Sequence, residues 1–181
     1  MTLETDRGNT DKQYLFLYPV KEYFDSVLNI CRTFSIEGHS VNRLNDIINS
    51  RYRNKGYQIN WLLFSREDDL DKPDTEGASD YVSVNKNDRI LSAGIPFRRH
   101  VSEELYADND FILNQLPEHK ELVVGGFHRG DCVNRLAACS YARGVKTFVD
   151  EDTTEIFFWR EAFEGVPLVR GEPSLNGYSK K

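Results

Sequence analysis

The chain has 181 residues, 39% of them hydrophobic and 29% charged, with a formal net charge of −6 at pH 7. That length suits one domain with a sizeable core, and the acidic balance argues against a nucleic-acid partner. No apolar run approaches the ~20 residues of a membrane span, so no membrane partner is expected. Cys31, Cys132 and Cys139 form no disulfide-like framework, which indicates a reducing compartment with buried or functional thiols. The opening MTLETDRGNTDK lacks the apolar core of a secretory signal, and a cytoplasmic location is the expectation.

Residues 1–12 read as a disordered tail, 13–168 as a single α/β domain and 169–181 as a mobile C-terminal tail. QYLFLYPV is a continuous apolar run ended by Pro19, the pattern of a strand buried on both faces. SVNRLNDIINSRYRNKG predicts a helix, with Ser40 as N-cap, a stripe of Val41, Leu44, Ile47, Ile48 and Tyr52, and Gly56 as the stop. YQINWLLFSR is the next strand. The acidic segment within 65–88, with Pro73 and Gly77, reads as a flexible solvated loop. RILSAGIPF predicts a third strand, DNDFILNQL a short helix, KELVVGG a fourth strand, DCVNRLAACSYARG a helix and VKTFVDED a fifth strand. TEIFFWREAF fits either a strand or a helix. Alternating strands and helices with short connections predict a mainly parallel sheet between helix layers, a three-layer α/β/α sandwich. The continuous runs place Val123, Val124, Phe148 and Val149 on neighbouring buried strands.

In such sheets ligands bind outside the carboxyl ends of the strands, which draws attention to GGFHRGDCVNRLAACSYARG, residues 125–144. A phosphate-binding loop would need a Gly-Lys-Ser/Thr ending that is absent. A cysteine phosphatase would need arginine six places after the cysteine, where Ala138 stands. His128 and Cys132 have no second His or Cys pair to complete a metal site, and Arg129-Gly130-Asp131 spells an adhesion tripeptide by coincidence. No metal or organic cofactor is implied. Cys132 at a helix start has a physical case for reactivity, because unpaired N–H groups and the helix dipole favour a thiolate. Arg129 and a neighbouring loop arginine would act in the same sense, and Asp131, as a cap, against it. On that basis Cys132 is expected to be the most readily alkylated thiol; the bland alternative is a small buried hydrophobe. Cys139, within the small residues Ala137 to Ser140, reads as packing, and Cys31 as core.

GFHRGDCV, the following small-residue helix to Gly144 and VKTFVDED with Asp152 resemble the isochorismatase-like cysteine hydrolase superfamily. Its nucleophile loop reads Gly-Val-x-Thr-x-x-Cys-Val. Gly126, Cys132 and Val133 are kept, and Arg129 stands in place of the threonine. Upstream, YLFLYPVKEYF resembles the family's first strand, and VNRLNDIINSRYRNKGYQINWLLFS its first helix and second strand. The resemblance implies an isochorismatase-like fold and a cysteine paired with an aspartate after strand one and a lysine after strand three. The aspartate's place falls on Tyr18 or Pro19, and Glu22 or Asp25 would need a shifted alignment. The lysine's place falls within PFRRH, where Arg98 or Arg99, beside His100, would keep a positive charge but not lysine's geometry. Gly126, Phe127, His128, Arg129, Asp131 and Tyr18 are the candidate ligand-binding residues. Two functions follow: a non-catalytic small-molecule-binding or interaction module with an incomplete triad, or a hydrolase of a small amide or similar C–N bond with Cys132 as nucleophile. Oligomeric state is left open, a homo-oligomer included.

Overall fold

A computed structural model describes residues 11–33, 41–155, 170, 171 and 173. Their elements are β1 (Lys12–Leu17), α1 (Lys21–Thr33), α2 (Val41–Ile47), β2 (Gln58–Ser65), β3 (Arg89–Pro96), α3 (Phe97–Glu103), α4 (Asn109–Asn114), β4 (Glu121–Gly126), α5 (Asn134–Ala142), β5 (Lys146–Thr154) and the two-residue β6 (Arg170–Gly171). Residues 1–10, Ser40 and residues 156–163 of TEIFFWREAF lie outside the described residues.

The sheet order is β3-β2-β1-β4-β5-β6, parallel from β3 to β5 and antiparallel at β6. Period-2 alternation divides the apolar side chains between two cores. Leu15, Leu17, Leu62, Phe64, Val124 and Val149 meet α4 and α5 on one face. Tyr14, Phe16, Ile59, Trp61 and Val123 meet α1 and α2 on the other. The expected α/β/α sandwich is therefore present. Val123 pairs with Phe148 and Val124 with Val149; all but the half-buried Phe148 are fully buried.

Two helices differ from the sequence reading. YLFLYPVKEYF is a strand only as far as Leu17, and the first helix is α1, not the segment from Val41. Tyr23, Phe24, Val27 and Leu28 form its apolar stripe, spaced as a helix face requires. Arg98 to His100, for which the sequence reading assigned no element, form part of the helix α3, which follows β3 without a loop. The stripe read from Val41 to Tyr52 does face the core. There α2 runs into a π-helical turn over Ile48–Tyr52 and a tight turn closed by Gly56 at φ 80°.

The acidic segment is irregular but tied down: Asp74 N donates to Phe64 O (2.7 Å), Arg66 N to Lys72 O (3.0 Å) and Ser79 N to Pro19 O (2.7 Å). On β3, the edge strand among the described residues, the Gln115 side chain bonds both main-chain groups of Ser92, accepting from N at 3.1 Å and donating to O at 2.7 Å.

At the opposite end of the sheet, Glu121 is 13% exposed and receives Tyr57 Oη, Lys146 Nζ (2.9 Å) and Arg170 (2.9 Å). Burial alone would raise its carboxyl, but the hydrogen bonds from Tyr57, Lys146 and Arg170 outweigh it and hold the pKa at about 2, against an ordinary 4.5. A depressed carboxyl adds stability above its unfolded pKa and loses it as the folded value is approached. Glu121→Gln is expected to cost at most about 3 kcal/mol near neutral pH. In urea titrations the gap from the parent should narrow as pH falls from 4.5 towards about 2; a pH-independent gap would contradict this.

Candidate functional site

The site forms where β1 and β4 end side by side. Gly126 sits at φ 98°, and a Cβ there would overlap the backbone of Leu17, with the carbonyl carbon 2.9 Å away. Phe127 N then donates to Leu17 O at 3.0 Å, which holds the chain after β4 against Leu17 and Tyr18. Phe127 is buried among Phe16, Phe24 and Tyr23 and belongs to the core on the α1 side. The peptide joining Phe127 to His128 is cis. A π-helical turn over Arg129–Val133 follows and runs directly into α5.

Within this turn the side chains diverge. His128 is 47% exposed, packs with its ring tilted against Tyr23 (4.7 Å between centroids) and lies 3.9 Å from Glu155. Arg129 turns towards β5, its guanidinium on Glu151 (3.1 Å) and Asn134 (3.3 Å), while its backbone N–H is taken by the Glu155 carboxylate at 2.7 and 2.8 Å. Asp131 does not cap the turn; it accepts from Arg135 Nε at 2.7 Å and pairs with the Tyr106 hydroxyl.

Cys132 points the other way, into the core on the α5 side, and is 8% exposed. It lines a cavity of about 40 Å³ with Leu17, Tyr18, Tyr106, Ala107, Asn109, Ile112 and Arg135. Burial pushes the Cys132 thiol up to about 12; Asp131 adds to the rise, while Arg135 and the backbone N–H groups of His128 and Cys132 itself oppose it. The sequence expectation of a thiolate favoured by the helix start and by Arg129 is thereby corrected. The favourable amides are present, but desolvation is the larger effect and Arg129 faces away. Cys139 is half-buried, its Sγ 3.5 Å from Asp110.

The place after β1 belongs to Tyr18, 2% exposed and held at φ 56°, a backbone region that bulky residues seldom occupy. Its ring stacks on Phe64 (4.2 Å) and His100 (5.9 Å). Burial raises its phenol well above the usual value, with a further rise from Cys132. Glu22 is exposed on α1, and Asp25 on the same helix is paired with Lys21 and Tyr81. Among the described residues no carboxylate is hydrogen-bonded to the Cys132 sulfur. Arg98 and Arg99 are exposed on α3, Arg99 beside Glu103 at 3.3 Å, and neither lines the cavity. The cation that does is Arg135, which sequence reading passed over although it lies three residues past Cys132 and four past Asp131, on one helix face. Tyr106 and Asn109 were also missed; their neighbourhood with Cys132 is set by the fold alone.

A second polar cluster, not read from the sequence, lies behind the end of β4. Arg51 Nη1 reaches both oxygens of Asp150 at 2.8 Å and Asp152 at 3.0 Å, and Tyr52 donates to Asp150. Both carboxylate side chains are fully buried.

No family model and no curated protein matches the chain. Among solved structures it is similar to the pyrazinamidase of Pyrococcus horikoshii in complex with zinc, with 14% identity over 84% of this chain and 94% of that one, TM-score 0.52. It is also similar to a candidate isochorismatase hydrolase from Oleispira antarctica, with 16% identity over 85% and 78% of the two chains, TM-score 0.50. The likeness is one of fold. No group of three or more His, Cys, Asp or Glu among the described residues is placed to hold a metal ion. None of the described helices is long and apolar enough to cross a membrane.

Proposed function

We propose that this chain, which has an isochorismatase-like fold, is a non-catalytic small-molecule-binding or interaction module. The observation that carries this reading is Tyr18 beside Cys132, where a hydrolase of this fold needs a proton acceptor. A nucleophilic thiol must be activated by a base or by a lowered pKa. Cys132 has a pKa raised to about 12, and the phenol facing it is itself pushed upwards. The cavity limits what could react or bind beside Cys132. At about 40 Å³ it admits some three water molecules, well below the ~300–1,000 Å³ of a site for a drug-sized ligand.

One observation favours the alternative, hydrolysis of a small amide or similar C–N bond. The backbone N–H groups of His128 and Cys132 oppose the rise of the thiol pKa, and donors of that kind could also stabilise an oxyanion formed on thiol attack. Arg98 and Arg99 add nothing to that reading from their place on α3. Two measurements separate the functions. With iodoacetamide near neutral pH, native Cys132 should react about 10³-fold more slowly than a thiol of ordinary pKa 9.0, and more slowly than the less buried Cys139. Across a panel of small amides no turnover should depend on Cys132. Fast labelling together with turnover that Cys132→Ala abolishes would establish the hydrolase.

A further inference from the structure

Residues 104–107 join α3 to α4 and supply Tyr106 and Ala107 to the wall of the Cys132 cavity. Much of the remaining lining is fixed within a strand or helix: Leu17 in β1, Ile112 in α4 and Arg135 in α5. The connecting segment is not. Among the described residues no main-chain hydrogen bond links Leu105, Tyr106 or Ala107 to another main-chain group. Burial holds it little, since Leu105 and Tyr106 are 36% and 45% exposed. Its two ends are fixed instead. Glu104 closes α3 in the left-handed region at φ 50°, and Asp108 caps α4 by accepting from Asp110 N at 2.8 Å. Between them the ties come from side chains outside the segment. His100 Nδ1 bonds Leu105 O at 2.6 Å, and because a carbonyl only accepts, the ring proton sits on that nitrogen. The same ring is anchored over Tyr18 (5.9 Å) and Phe64 (5.2 Å). Arg135 Cζ lies 4.2 Å from the centre of the Tyr106 ring. A single hydrogen bond and an exposed cation–π contact each shift an equilibrium by only about two- to tenfold. Lifting this segment therefore costs far less than parting the hydrogen-bonded strands beneath it.

We propose that residues 104–107 are a strap latched over Cys132 by His100, and that its opening, with the sheet intact, is what brings Cys132 and its cavity to solvent. The cavity of about 40 Å³ is then the closed form of the site, whether or not Cys132 is catalytic. The experiment is iodoacetamide labelling of the native full chain over a range of urea. Mass spectrometry reads the Cys132 peptide, and circular dichroism follows global unfolding in the same solutions. Labelling through the strap should rise with urea at less than about a third of the slope of global unfolding, because few residues become exposed. His100→Phe keeps the ring stack, removes the donor and should speed Cys132 labelling about tenfold. Tyr106→Leu removes the ring beneath Arg135 and should speed it about threefold. Glu121→Gln is the control, at the start of β4 and the far end of the sheet. It weakens the latched and open forms alike, so without urea it should leave the labelling rate unchanged. Labelling that follows global unfolding in slope, that quickens as much in Glu121→Gln as in His100→Phe, or that His100→Phe leaves unchanged would overturn the strap.

Discussion

Arg51→Met is expected to destabilise the fold by about 3–5 kcal/mol, the cost of leaving buried charge without its partner. Arg51 is the guanidinium that reaches both Asp150 and Asp152, whose side chains are fully buried. Burial already raises the Asp150 carboxyl in spite of Tyr52 and Arg51, and removing Arg51 would raise it further. A carboxyl with a raised folded pKa binds its proton more readily in the native state, so it stabilises the fold more as pH falls. The Arg51→Met deficit should therefore shrink in mild acid, and Asp150→Asn in the same chain should recover part of it. Urea unfolding of the single and double variants at two pH values reads both effects. Additive costs with no pH dependence would mean that the cluster does not act as a unit.

Gly126→Ala is expected to prevent folding or to cost more than about 4 kcal/mol, the range reserved for overlap and backbone strain together. The residue combines φ 98° with a Cβ position inside the Leu17 backbone, and backbone cannot swing aside as a side chain can. Gly144 is the control, with φ 84° and nothing within 4 Å of the place a methyl group would take. Gly144→Ala should cost only the left-handed conformation, about 1–2 kcal/mol. Thermal unfolding of the two variants separates the terms. Similar losses at both positions would show that contact with β1 does not hold the Cys132 turn in place.

The fold was largely legible because its central strands are buried on both faces and read as unbroken apolar runs, as at Leu15–Leu17 and Leu122–Val124. The miss at α1 has a local cause. Tyr23 and Phe24 follow the aromatic strand closely and suit a strand by propensity, although their spacing to Val27 and Leu28 is helical. The site was legible in part. Glycines, a cysteine and a helix start located the turn, and the Tyr18 position was identified by order along the chain. What sequence could not supply was how deeply Cys132 would be covered. That depends on Tyr18, Tyr106 and Ile112, brought from three separate segments, and burial reversed the expected sign of the thiol shift. The Arg51 cluster had still less signal, since ninety-nine residues separate Arg51 from Asp150.

Gln115 has a consequence for how copies of this chain meet one another. An open sheet edge is a template on which another strand can dock. Along β3 a docking strand would find the Ser92 N–H and C=O already engaged by the Gln115 amide, which mimics one peptide group of a neighbour. Pro96 offers no N–H at the far end, and the β2–β3 register shifts before it. Addition of a foreign strand at the β3 edge would thus have to displace a hydrogen-bonded side chain, which disfavours fibre-like growth from that edge.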